Sequence, residues 1–148
     1  WAALDTEGMA SKPMPTTWRD GQRLHLEVLT CPVARKDGQE KDVYLRALDR
    51  LGEAAPARGE VYRDWFARQW ADAVTFEQVE LAGMTARSRQ LRRARNGHNR
   101  LVVVERPQAL FAADVVVRDG AAFAGLLARG IGRHRSFGFG MVLLSPPR

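Results

Sequence analysis

Eleven consecutive residues near the carboxy end, Gly130-Ile131-Gly132-Arg133-His134-Arg135-Ser136-Phe137-Gly138-Phe139-Gly140, combine what an anion site needs. Glycine lets the backbone take positive φ and lie close to another surface, and successive N–H groups in such a loop form a concavity that suits a phosphate. Arg133 and Arg135 add charge that cannot titrate away. A plainer reading makes Gly130 the stop of a helix, with Gly138 and Gly140 as bulge glycines in a last strand. That accounts for three glycines but not for the Arg-His-Arg between them, and both readings can hold together.

Arginines are also concentrated just upstream. Between Leu81 and Val104 there is no acidic residue, while Arg87, Arg89, Arg92, Arg93, Arg95 and Arg100 fall within fourteen positions. Six like charges repel one another, so an anionic partner explains them better than a solvated face does. Net charge is +6 over the 148 residues, divided as −3 for residues 1–80 and +9 for residues 81–148. The second half is therefore a cationic surface built to meet a polyanion, and guanidinium groups bind phosphates and guanine edges in bidentate fashion. Asn96-Gly97 inside the run signals a tight turn. The run reads either as a long basic hairpin or as a mobile arginine-rich loop that orders on RNA.

If the partner is RNA, cutting it without a metal needs a base for the 2′-hydroxyl, an acid for the leaving oxygen and cations around the phosphate. Histidine suits the first two tasks. Of His25, His98 and His134, only His134 falls where a phosphate is expected, so it is the one catalytic candidate. His25 is expected as an exposed residue on the polar face of a strand and His98 as a solvated turn residue. No carboxylate cluster or His/Cys spacing suggests a metal, and no cofactor is expected. The single Cys31 excludes an internal disulfide and favours a reducing, cytoplasmic setting; no stretch is long and apolar enough for a membrane span. A start at Trp1 shows no signal peptide and suggests that something upstream is missing.

The elements that must position these groups follow from periodicity. Residues 1–21 carry Gly8, Pro13, Pro15 and Gly21 without a period and read as the end of a preceding domain plus a linker, with Trp18 a hydrophobic plug. Arg23 to Leu29 alternates with Leu24, Leu26 and Val28 on one face, a strand, followed by a charged turn over Arg35–Lys41. Asp42 caps a short helix through Leu48, and Glu60 to Asp72 resumes as a helix with Val61, Trp65, Phe66 and Trp70 inward. Val74–Leu81 reads as the second strand, with the basic hairpin at about 82–103. Leu110–Val117 is a third strand, Asp119 caps a helix over Ala121–Arg129, and Phe137–Leu144 closes as a last strand. The order βαββαβ gives an α+β, ferredoxin-like (RRM-like) sandwich over 22–148: a four-stranded antiparallel sheet with both helices on one face and the glycine-rich loop 130–140 at its carboxy end.

The segment Gly130 to Gly140 resembles the carboxy-terminal glycine-rich signature of the RAMP proteins of CRISPR systems. The closest likeness is to the CasE type of crRNA-processing endoribonuclease, covering roughly Gly21 to Leu144. The strand and turn over Leu24 to Arg35, the basic hairpin and the termination soon after the signature are also similar to that family. The resemblance implies two tandem ferredoxin-like domains and metal-independent cleavage of the CRISPR repeat at its stem-loop. It also implies retention of the product crRNA in the interference complex, so that other subunits are partners. Arg133, Arg135 and Ser136 are then expected to contact RNA backbone, within a loop that includes Gly130, Gly132 and His134, while Arg87 to Arg95 match the hairpin that enters the groove of the stem. The family's usual catalytic histidine lies early in its first domain, and the resemblance implies that the sequence begins near that domain's end. Two other classes stay open: a non-catalytic RAMP subunit that only holds or caps crRNA, and a ferredoxin-like oligomerising or small-ligand domain with no RNA partner.

Overall fold

The computed structural model describes residues 13, 15–93 and 101–147, with residues 92 and 93 described through their backbone only. Arg95, His98, Arg100, the Asn96-Gly97 turn and most of the segment before Gly21 lie outside the described residues.

The chain runs β1 (Arg23–Thr30), β2 (Val33–Lys36), β3 (Gln39–Asp42), α1 (Val43–Leu51), α2 (Arg58–Gln69), β4 (Val74–Arg93), β5 (Leu101–Val117), α3 (Gly120–Arg129) and β6 (Val142–Ser145). Strands β4, β5, β1 and β6 lie side by side in that order, each neighbouring pair antiparallel. The short β2–β3 hairpin stands outside that sheet, in place of the expected charged turn. Leu24, Leu26 and Val28 point from β1 into the core, as their alternation predicts, and meet Phe111, Ala113 and Val115 of β5. Both long helices cover this face. Phe66 of α2 stacks on Phe111 with ring centroids 4.2 Å apart, and Trp70 stacks on Phe123 of α3 at 6.0 Å. Trp18 packs edge-on against Phe123 at 5.2 Å, and its carbonyl lies so close to Gly120 that a Cβ there would come within 1.9 Å.

Local signals set the helix starts. Asp42 accepts the Tyr44 amide at 2.8 Å, and its second oxygen takes the Tyr62 hydroxyl at 2.9 Å and the Arg58 guanidinium, so one buried carboxylate both caps α1 and fastens it to α2. Burial holds the Tyr62 phenol above its usual range, with the Asp42 charge adding to the shift. Asp119 accepts the Ala122 amide at 2.8 Å at the start of α3.

Three expectations need correction. The second strand does not end at Leu81 but continues to Arg93, and the third begins at Leu101 rather than at Leu110. The basic run is thus a long hairpin, its bends absorbed by register shifts at Phe76/Gln78, Leu81/Gly83 and Thr85/Ser88. The last strand begins only at Val142, because Arg135–Phe137 forms a 3-10 turn and Gly138 sits at φ 88°. His25 is not exposed: it is 5% accessible, with Nδ1 2.7 Å from Asp114 Oδ1 across β5 and Nε2 3.7 Å from Glu27. Alternation correctly put it on the face away from the helices, but the cross-strand carboxylate could not be read from its own strand.

Candidate nucleic-acid interface

The glycine-rich loop begins where α3 stops. The Gly130 amide still reaches Leu126 O at 2.8 Å, and its φ of 73° favours glycine. Ile131 then drops into the core, donating its amide to Gly140 O at 2.8 Å, while Gly140 donates to Leu29 O at 2.7 Å. Those two bonds close the loop at its neck and tie it to the end of β1. A Cβ on Gly140 would sit 2.1 Å from Ile131 O, so the neck admits glycine only. Outside it, His134 is left-handed at φ 61°, and the Phe137 and Gly138 amides donate to His134 O and Arg135 O at 2.9 and 3.0 Å. The amides of Gly130, Ile131, Phe137, Gly138 and Gly140 are thereby taken up by the protein itself, which leaves Gly132 to Ser136 as the stretch that can offer main-chain donors to a ligand. At Gly132 the missing side chain makes room for the Trp65 indole, 3.1 Å from where a Cβ would stand.

The basic side chains of the loop are held, not loose. Glu40, at the end of the β2–β3 hairpin and 13% accessible, takes Arg133 Nε on Oε2 at 2.7 Å and His134 Nε2 on Oε1 at 2.6 Å. Arg106 Nε of β5 stands 3.0 Å from the same Oε1, an ion pair whose N–H is not aimed as a hydrogen bond. Burial opposes ionisation of Glu40, but hydrogen bonds from His134 and Arg133 and the charges of His134 and Arg106 outweigh it, so its carboxyl titrates below the usual glutamate range. An ionised carboxylate only accepts, so the proton of this contact sits on His134 Nε2 and Nδ1 is the nitrogen left for another partner. Arg133 keeps its terminal nitrogens available: its side chain is about half exposed. Arg135 donates to Arg129 O at the end of α3, where helix carbonyls lack partners, and Ser136 is exposed. Burial pushes the Cys31 thiol up to about 12, so it is protonated at neutral pH and not an activated nucleophile.

The hairpin meets this cluster at its base. Just past the Thr30–Ala109 pair, where β1 ends, β5 runs on paired with β4 only, and Arg106 reaches Glu40 of the β2–β3 hairpin. A groove of about 400 Å³ opens there, lined by Val33, Glu40, Leu45, Arg87, Glu105 and Arg106. Arg87 and Arg89 are 81% and 80% exposed, and each lies just under 4 Å from the Glu105 carboxylate. The run therefore has a counter-charge, supplied by the facing strand immediately after the acid-free stretch. By register the backbone of Arg89 pairs with Glu105, of Arg92 with Val102 and of Arg93 with Leu101. Among the described side chains of the run, Arg87 is the one brought beside the loop cluster, in the groove that Glu40 and Arg106 line. Arg106 and Glu40 escaped the sequence reading. Arg106 stands outside the basic run and Glu40 lies 93 positions before Arg133, so no local pattern could join them.

The helices packed on one face of a β4-β5-β1-β6 antiparallel sheet define a ferredoxin-like module, with the basic hairpin and loop at one end of it. The chain belongs to the CRISPR-associated protein family: the model described as "CRISPR associated protein" matches residues 2–146. No curated protein matches it. Among solved structures it is similar to the CRISPR endoribonuclease Cse3 bound to a 19 nt RNA, at TM-score 0.68 and 19% identity over 91% of this chain and 61% of that one. A chain of a CRISPR RNA-guided surveillance complex gives TM-score 0.62 and 20% identity over 95% and 66%. Cas6e from Escherichia coli str. K-12 gives 0.60 and 17% over 92% and 66%. The fold is shared, and this chain spans about three-fifths to two-thirds of the length of each. Among the described residues no helix is long and apolar enough to cross a membrane.

Proposed function

We propose that this chain binds the stem-loop of CRISPR repeat RNA and takes part in its metal-independent endonucleolytic processing, staying with crRNA in a cytoplasmic interference complex. The carrying observation is that Arg133 and His134 from the loop and Arg106 from β5 converge on Glu40, which lines one groove together with Arg106 and with Arg87 of the hairpin. Family membership and the ferredoxin-like fold support the reading. Backbone recognition falls to Arg133, with Arg135 and Ser136 beside it, and the hairpin arginines track the stem. His134 has one ring nitrogen free to exchange a proton with RNA.

A second reading, a subunit that holds crRNA without cutting it, is favoured by His134 itself. Among the described residues it is the only histidine beside the loop, and its Nε2 is already committed to Glu40. One experiment separates the two. The chain is incubated with repeat RNA in EDTA: defined products that vanish in His134→Ala support processing, and tight binding without products supports the holding role. No binding of repeat RNA at low salt would sink both.

A further inference from the structure

We infer that Glu40 is a specificity-determining residue of the RNA interface, a built-in counter-anion that fixes the cationic loop for a folded RNA and withholds it from arbitrary polyanions. The inference deepens the RNA-binding reading and rests on it. Three basic side chains from two distant parts of the chain converge on this one carboxylate, Arg133 and Arg106 through Nε and His134 through Nε2. Arg133, held by Nε, has its torsions fixed while its terminal nitrogens stay available for bidentate phosphate contact, whereas Arg106 gives Nη1 to the Glu105 carbonyl at 3.0 Å and braces the carboxylate. His134 is fixed through Nε2, which leaves Nδ1 as its second ring nitrogen.

The carboxylate also removes one positive charge from the site. Long-range attraction for any polyanion is thereby reduced, while the geometry needed by a phosphate in one place is kept. Affinity for unstructured RNA depends mainly on charge, and affinity for a folded stem depends on charge and placement together. Loss of the carboxylate must therefore move the two in different directions.

The test compares binding of an RNA stem-loop and of polyuridine of equal length to the full chain, at two salt concentrations, for wild type and Glu40→Gln. The isosteric amide should raise polyuridine affinity about threefold, the effect of one unit charge near a phosphate in water, and leave stem-loop affinity level or lower. The preference for the stem-loop should fall by about threefold or more. An unchanged preference in a folded Glu40→Gln protein overturns the inference. Should that variant fail to fold, Glu40→Asp carries the test: its shorter carboxylate cannot span Arg133 and His134 together, so the preference must again drop, and an unaltered preference overturns the inference. Wild-type protein that binds neither RNA overturns the RNA reading itself.

Discussion

At the scale of single residues, Glu40 makes a stability claim as well as a binding one. Its folded-state pKa lies below the ordinary value, so the unfolded chain binds the extra proton first and stability rises with pH. The contribution is complete above the ordinary glutamate range and is lost as pH falls through the depressed folded value. The gap in melting temperature between wild type and Glu40→Gln should thus be constant near neutrality and close below about pH 4. A gap that persists unchanged at pH 3 would mean that the carboxylate contributes by shape alone. Glycine choices are equally local. Gly140→Ala places a Cβ against the Ile131 carbonyl, whereas Gly132→Ala meets only the edge of Trp65, which can shift by tenths of an ångström. Both carry the left-handed backbone cost of about 1 kcal/mol, and Gly140→Ala should lose at least about 2 kcal/mol more in urea unfolding.

Elements explain why some of this was legible beforehand and some was not. Asp42 and Asp119 announce the helix starts because a cap and the amide it receives are two or three residues apart. Leu24, Leu26 and Val28 announce a strand because period two is visible in seven residues. The hairpin was half legible: the arginines and Asn96-Gly97 suggested it, but bulges at β4 break the alternation, so its length could not be read past Leu81. The loop's clamp was not legible at all, since it is formed between β3 and a loop after α3. Arg87 and Arg89 provide the test for the hairpin. Their pairs with Glu105 are long and exposed, so replacing both with Ala should change stability by under about 0.5 kcal/mol. Stem-loop affinity should nevertheless fall, and the slope of log affinity against log salt should flatten by about 0.9 for each phosphate no longer neutralised. Unaltered affinity and slope would move the RNA off this strand.

For the whole molecule the decisive question is which surface meets RNA, because a ferredoxin-like sheet offers two. An RRM-like use would stack bases on aromatic residues of the open sheet face. Here that face carries His25, Glu27 and Leu29 from β1 opposite Asp114, Ala112 and Leu110 of β5, with Leu143 of β6 beside Glu27. Two carboxylates stand among these residues and their one aromatic ring, the His25 imidazole, is buried, so phosphate is repelled and bases find no platform. The cations gather instead at the end where β1 stops and β5 continues past it. Leu143 is 57% exposed on the open face, opposite Glu27 and three residues of β1 short of that end. Leu143→Ser should therefore leave stem-loop affinity within about twofold of wild type and keep its salt slope, whereas Arg133→Ala should weaken binding by about tenfold, the scale of a charge-assisted hydrogen bond. If Leu143→Ser cost as much as Arg133→Ala, the open face would be the RNA surface, and the groove between Glu40 and Arg87 would be a structural joint between two hairpins.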